Sequence, residues 1–471
     1  MRSNQLVRGL VYAFFVATVF TGCMQEGGLN QNERQAGGGD DGVAVESGEI
    51  AIDPTGTYLI SKLSDRLVYA DLETGETKVL AALSHAARVT FDHQGTSLFV
   101  TRSHSRLQSS DDDDRGTILL GPGELVRYDI ARQRELWSQP VTLKIGLDYQ
   151  GLDGTPSLDV TEDDRFVVVT YPDRVEVLDA ETGERKKLVV PEQAIIDVDV
   201  TPDQDRIVIT TEHVWLEGND GDVPRTVLEV HDLASSAKVE INVPNCASEL
   251  VISPSGQHGF LAPTRCQRDP VSVIDLDTGR FVRNLPGFGP VALAPNGELA
   301  VAFIDVLNID EALFDNPQQI PSDETRYHLM LIDTETLQFD VIALGEDLPR
   351  YAITPDGKLL LIDADSLWTD GRIRLLDVDR KELVPVLGSG LSLQNYAVTR
   401  DSSKVFLLDD GLFTIDLSTR TAQAEPIDFT PTDLNLSPDD SVLVLRQDSA
   451  TLWLYDAKQP RVLRSITLPE P

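Results

Sequence analysis

Positive charge is scarce in this chain. Of 471 residues, 40 are Lys or Arg and 77 are Asp or Glu, for a net charge of −37, and only ten of the basic residues are Lys. Such a balance repels phosphate backbones and anionic headgroups, which sets nucleic acid aside as a partner. Long apolar runs are missing too. The longest, "GLVYAFFVATVF" at 9–20, has twelve residues, whereas a membrane-spanning helix needs about 20. No segment sustains a 3.6-residue apolar period, which excludes an α-solenoid. Catalytic signatures are also missing: there is no C-x-x-C-H, no H-E-x-x-H and no G-x-S-x-G.

What the chain has is a repeated turn. It recurs nine times, starting at Asp53, Asp92, Thr161, Thr201, Ser253, Ala294, Thr354, Thr399 and Ser437, as in "SPSG" and "TPDG". Each copy sits between two short β-rich segments such as "RFVVV" and "KVFLL". Proline presets φ at the second turn position, Asp or Asn bonds its own backbone, and glycine tolerates positive φ.

A second turn follows in every unit and opens with an aspartate: Asp71, Asp129, Asp179, Asp232, Asp275, Asp333, Asp377, Asp416 and Asp456. Nine such carboxylates could be read as a functional ring, but an aspartate opening a hairpin turn caps the backbone amides two residues on. Each unit therefore holds four strands, A to D, with tight A–B and C–D turns. Units of about 40 residues with four antiparallel strands predict an all-β fold, a single β-propeller over 49–471. The literal count is nine blades; eight, with one module displaced, is the alternative. The segment "VSVIDLDTGRFVRNLP" (271–286) resembles the YVTN or surface-layer type of bacterial propeller repeat, which is WD40-like. Some relatives of that repeat are lactonases and others belong to quinoprotein or nitrous-oxide-reducing enzymes. The cofactor ligands of the latter are absent here, and no motif places lactonase residues.

Spacings between successive first turns are 39, 69, 40, 52, 41, 60, 45 and 38 residues, so the second, fourth and sixth units carry insertions. These fall at least partly between strands B and C, at 103–124, 213–225 and 304–327, with a further long link after the second unit. In an up-and-down blade the B–C loops and D-to-A links share one face, so the elaboration is one-sided, and inserted loops of repeat folds often bind. Candidate binding-face residues are Asp111, Asp112, Asp113, Asp114, Trp215, Glu217, Asp220, Asp222 and Tyr327. The acidic runs offer the oxygen ligands that Ca²⁺ takes, without EF-hand spacing, and equally read as solvated charge. No other metal and no cofactor is expected. The seven histidines are scattered, and His93 sits in an A–B turn, away from His104.

The start of the chain reads as an address. Arg2 and Arg8, the apolar run and small residues before a cut site describe a signal peptide at 1–22. "FTGC" resembles the bacterial lipoprotein box, with Phe20 where that family usually has Leu. The resemblance implies acylation of Cys23, a flexible tether over 23–48 and, since Met24 is not Asp, an outer-membrane anchor facing periplasm or medium. Cys246 and Cys266 bracket the fifth A–B hairpin, and an oxidising compartment predicts a disulfide between them. The expected protein is a monomeric, non-catalytic scaffold for an envelope protein or polysaccharide. A propeller hydrolase or lactonase working at the central channel is the alternative.

Overall fold

The protein is described from a computed structural model. It covers residues 50–469 apart from 64–65, 83–87, 104–118, 146–156, 172, 212–213, 217–222, 245, 247–248, 264–269, 322–324, 346–349, 364–372, 387–390, 392, 394 and 449.

Nine antiparallel sheets follow one another along the chain, each built from four consecutive strands paired in the order A-B-C-D. In blade 5 these are Glu249–Ile252, His258–Ala262, Val271–Asp275 and Arg280–Leu285. Blade 4 adds a fifth short strand, Val214–Leu216. The literal count of nine is therefore correct. Strands A of successive blades approach one another, so they form the inner circle and strands D the outer edge.

The core explains why the blades form a ring. Alternate residues of each strand face opposite neighbours, and the buried apolar side chains divide into nine clusters. Every cluster joins two consecutive blades. The ninth cluster joins blade 9 to blade 1, placing Val444, Leu452, Leu454 and Ile466 against Ile52, Leu59, Val68 and Ala70. Among the described residues no strand crosses between the chain ends: the strands of blade 1 are the first four of the chain and those of blade 9 the last four. Packing closes the ring, helped by Arg464 donating to the Leu72 carbonyl and by Arg446 Nη2 donating to Ser61 Oγ at 3.1 Å.

Both turn families act as the residue types demand. All nine C–D aspartates accept from the amide three residues on, at 2.6–3.0 Å. They are turn caps; the expected bond from the amide two residues on is present as well at Asp71, Asp333 and Asp456. In the A–B turns the opening residue is buried in all nine blades. In eight of them, Ala294 being the exception, its hydroxyl or carboxylate bonds the far end of its own turn, as where Thr354 Oγ1 accepts from Leu359 N at 3.1 Å and donates to Asp356 Oδ1 at 2.7 Å.

Consecutive A–B turns also fit each other. The fourth residue of every turn has a positive φ, between 56° and 74°. Where the second residue of one turn is proline and has no N–H, the next blade in five cases offers glycine: Pro54 with Gly95, Pro202 with Gly256, Pro254 with Gly297, Pro295 with Gly357 and Pro438 with Gly56. Four of these five glycines lie against the turn proline itself, and Gly357 lies against Asn296. Where the second residue has an N–H, the next blade supplies an acceptor. His93 N donates to Asp164 Oδ1 (2.7 Å), Glu162 N to Gln204 Oε1 (3.0 Å) and Arg400 N to Asp440 Oδ2 (2.9 Å). At the remaining junction Pro355 is followed by Asp356, whose N–H donates to Ser402 Oγ at 3.0 Å. The A–B face is thus a closed rim of small, mutually fitted turns.

Candidate functional site

The opposite face carries the extensions, and each takes a different form. In blade 2, strand B ends its pairing at Ser103–Gly123, but strands C (Leu119–Asp129) and D (Arg134–Ile145) continue together to Leu119–Ile145. Four residues per strand therefore run past the blade as a two-stranded ribbon, about 14 Å at the usual rise of about 3.4 Å per residue. Part of what reads in sequence as a B–C loop, Leu119 to Glu124, is thus strand. So is the start of the long link, Thr142 to Ile145. In blade 4, Val214–Leu216 pairs with the first residues of strand C, Val223–Arg225, to make a projecting hairpin.

Blade 6 departs most from expectation. Its insertion forms three short 3₁₀ turns, Val306–Asn308, Glu311–Leu313 and Pro317–Gln319, each N-capped by a side chain, from Asp305, Asp310 and Asn316. It does not stand up as a loop but lies along the outer strands at the junction with blade 5. Phe314 is buried edge-on to Phe339 with ring centroids 5.8 Å apart, and Ile309 and Ile320 pack into the same cluster. Arg283 of blade 5 holds it from the other side, with Nη1 2.8 Å from Asp315 Oδ2 and Nη2 3.3 Å from the Leu313 carbonyl.

The expected site residues are only partly brought together. Tyr327 is the first residue of strand C (Tyr327–Asp333), not a loop anchor. It is half-buried 6.4 Å from Phe288 and beneath the Arg326 guanidinium at 4.7 Å, so it packs locally. Trp215 lies in the blade 4 hairpin, its side chain outside the description. Asp111, Asp112, Asp113, Asp114, Glu217, Asp220, Asp222, Cys23 and Cys266 lie outside the described residues, while Cys246 is buried, at 1 % exposure. Among the described residues no group of three or more His, Cys, Asp or Glu could hold a metal ion, and no helix is long and apolar enough to cross a membrane.

Polar groups of the inner circle bond between blades. Asp197 Oδ2 accepts from Leu250 N of the next blade at 3.0 Å, and Asn395 Nδ2 donates to Asp433 Oδ1 at 3.0 Å. The residue that sequence reasoning passed over is His328, on strand C of blade 6. It is 4 % exposed, its Nδ1 has no hydrogen-bond partner, and it lines a cavity of about 320 Å³ with Gln318, Gln319, Ile320, Pro321, Asp340, Val341 and Ala343. Burial pushes its pKa down, disfavouring the charged ring. Sequence offered one signal: a histidine facing the same side as Met330 and Ile332.

This geometry defines the class: an all-β propeller of nine four-stranded blades, smooth on one face and extended on the other. No family model and no curated protein matches the chain. Solved structures do. Dipeptidyl peptidase 4 of Porphyromonas gingivalis aligns at 10 % identity with a TM-score of 0.50, over 88 % of this chain and 59 % of that one. The Dos1 propeller aligns at 14 % identity and TM-score 0.45 (75 % and 88 %), and the C-terminal WD40 domain of Sif2 at 10 % and 0.43 (78 % and 93 %). At such identities these are likenesses of fold.

Proposed function

We propose that the chain is an exported lipoprotein, anchored to the outer membrane through Cys23, whose propeller is a non-catalytic, monomeric scaffold for an envelope protein or polysaccharide. One observation carries the reading. The ribbon of blade 2, the hairpin of blade 4 and the insertion of blade 6 all leave from the B–C side, while the A–B side is closed by fitted turns. Extension confined to one face of a repeat fold is how such folds build binding surfaces. The −37 charge supports a neutral or basic partner.

Pairing of Cys246 with Cys266 belongs to the same reading, and the burial of Cys246 supports it. Ca²⁺ at the acidic runs 111–114 and 217–222 is a subsidiary proposal, checked by calorimetric titration of chelator-treated protein. The anchor is tested by labelling cells with radioactive palmitate. The wild type carries label and sediments with outer membranes, whereas Cys23→Ala is unlabelled and soluble. A labelled Cys23→Ala protein contradicts the anchor.

A further inference from the structure

Resting on the scaffold reading above, we propose that the outer strand of blade 6, Phe339–Gly345, is a docking edge for an extended segment of a partner protein. The segment adds a fifth strand, with one uncharged hydrogen-bonding side chain seated in the cavity beside His328.

The backbone register supplies the docking groups. Asp333 N bonds the Gln338 carbonyl, so with a period of two the amides and carbonyls of Asp340 and Ile342 point inward to strand C. Those of Phe339, Val341 and Ala343 point outward. Gln319 confirms the direction, because its Nε2 reaches the Phe339 carbonyl from outside at 2.5 Å. That amide already occupies the place a first rung of a new strand would take, and the next outward groups, at Val341 and Ala343, line the cavity.

Edge strands are ordinarily guarded against pairing by Lys, Arg, Pro or shortness. The other outer strands obey this. Lys78, Arg134, Arg185, Lys238, Arg280, Pro385 and Arg461 guard seven of them, and the eighth, Thr421–Ala424, has four residues. The blade 6 edge, "FDVIALG", has seven residues, no Lys, Arg or Pro, and one charge. That charge, Asp340, binds Lys381 of blade 7 at 2.6 Å. The insertion covers this edge at Phe339, through Gln319 and Phe314, and beyond that contact it carries no such guard.

The cavity supplies selectivity. His328 pairs across strand C to Ala343, with its Nδ1 unpartnered. The wall is Gln318 and Gln319 over Ile320 and Pro321. An imidazole and amides, beside an Asp340 whose carboxylate is held by Lys381 at 2.6 Å, match a hydroxyl or amide side chain. The net charge of the chain turns acidic segments away. Main-chain rungs give affinity and the side-chain pocket gives specificity, as in other strand-addition complexes.

The test uses the full chain against an array of immobilised 12-residue peptides of uncharged to basic composition, followed by N-methyl scanning of the tightest binder. Binding is expected to fall at least tenfold when alternate amides are methylated, with a period of two. It is expected to fall as much in Ala343→Pro, which removes an outward N–H, and in Ala343→Lys, which adds a guard without touching the ladder. His328→Leu weakens only peptides bearing a hydroxyl or amide at the pocket position. Should Ala343→Pro unfold, Ala343→Lys decides. No binding peptide, binding indifferent to Ala343→Lys, or a methyl scan without the period overturns the proposal. So does a self-association that Ala343→Lys abolishes, since the occupant would then be a second copy. If the Ala343 variants are silent while removal of the blade 2 and blade 4 extensions still releases a partner, the edge proposal falls and the scaffold reading stands.

Discussion

Gly297→Ala, in the A–B turn of blade 6, isolates what fits one blade to the next. Gly297 has φ +74°, and a Cβ there meets Pro254 of blade 5 at 2.5 Å from Cγ, 2.9 Å from Cβ and 3.0 Å from Cδ. The left-handed backbone costs an alanine about 1–2 kcal/mol, and forcing a methyl against a packed ring adds about 1–3 kcal/mol. Gly56→Ala is the control. Its φ is +69°, but its Cβ meets nothing closer than Asp439 Oδ1 at 3.7 Å, so only the backbone part applies. Urea midpoints, converted with a common m-value, should show Gly297→Ala losing clearly more than Gly56→Ala. Adding Pro254→Ala should recover the steric part, a coupling of about 1–3 kcal/mol in the double-mutant cycle. Equal losses at the two glycines, or no coupling to Pro254, would refute the claim that consecutive turns fit each other.

Ring closure without strand exchange makes the blade 9–blade 1 cluster as necessary as any other. Leu452→Ala there should cost about 2–5 kcal/mol, as should Leu375→Ala between blades 7 and 8; a silent Leu452→Ala in urea unfolding means an open ring. Asp275→Ala should cost about 1 kcal/mol near neutral pH, since its carboxylate accepts from Thr278 N at 2.8 Å. That amide hydrogen bond holds its pKa below the usual 3.8. The contribution is therefore present above about pH 4 and lost as pH falls through the depressed value, so the gap in thermal midpoint from wild type should close as the pH is lowered below about 4. A gap that does not depend on pH contradicts the cap.

The nine blades and their caps were legible in sequence because turn chemistry is local. Asp, Pro and Gly at fixed offsets dictate a hairpin wherever they occur, and Asp275 caps by reaching three residues. The fit between turns was present as well, but only as a relation between neighbours. Pro254 explains Gly297 forty-three positions later, and Arg400 explains Asp440. The blade 6 insertion was misread because Ile309, Phe314 and Ile320 stand apart among polar residues, and only the blade 5–6 junction makes them one apolar face. Tyr327 looked like an anchor for the same reason. His328 was hidden by its alternation with Met330 and Ile332, which marks a core position, and the cavity above it depends on a chain segment with no periodic signal.

The scaffold claim is tested most directly by affinity capture from native membranes with three lipidated proteins. One is wild type, one has 213–225 replaced by an Asn-Gly turn and the blade 2 ribbon tip excised, and one carries Glu162→Lys and Arg400→Glu on the A–B rim. The account predicts a stoichiometric partner held by wild type and by the rim variant and lost from the variant without extensions. A partner retained without the extensions, or lost from the rim variant while it stays folded, would contradict it.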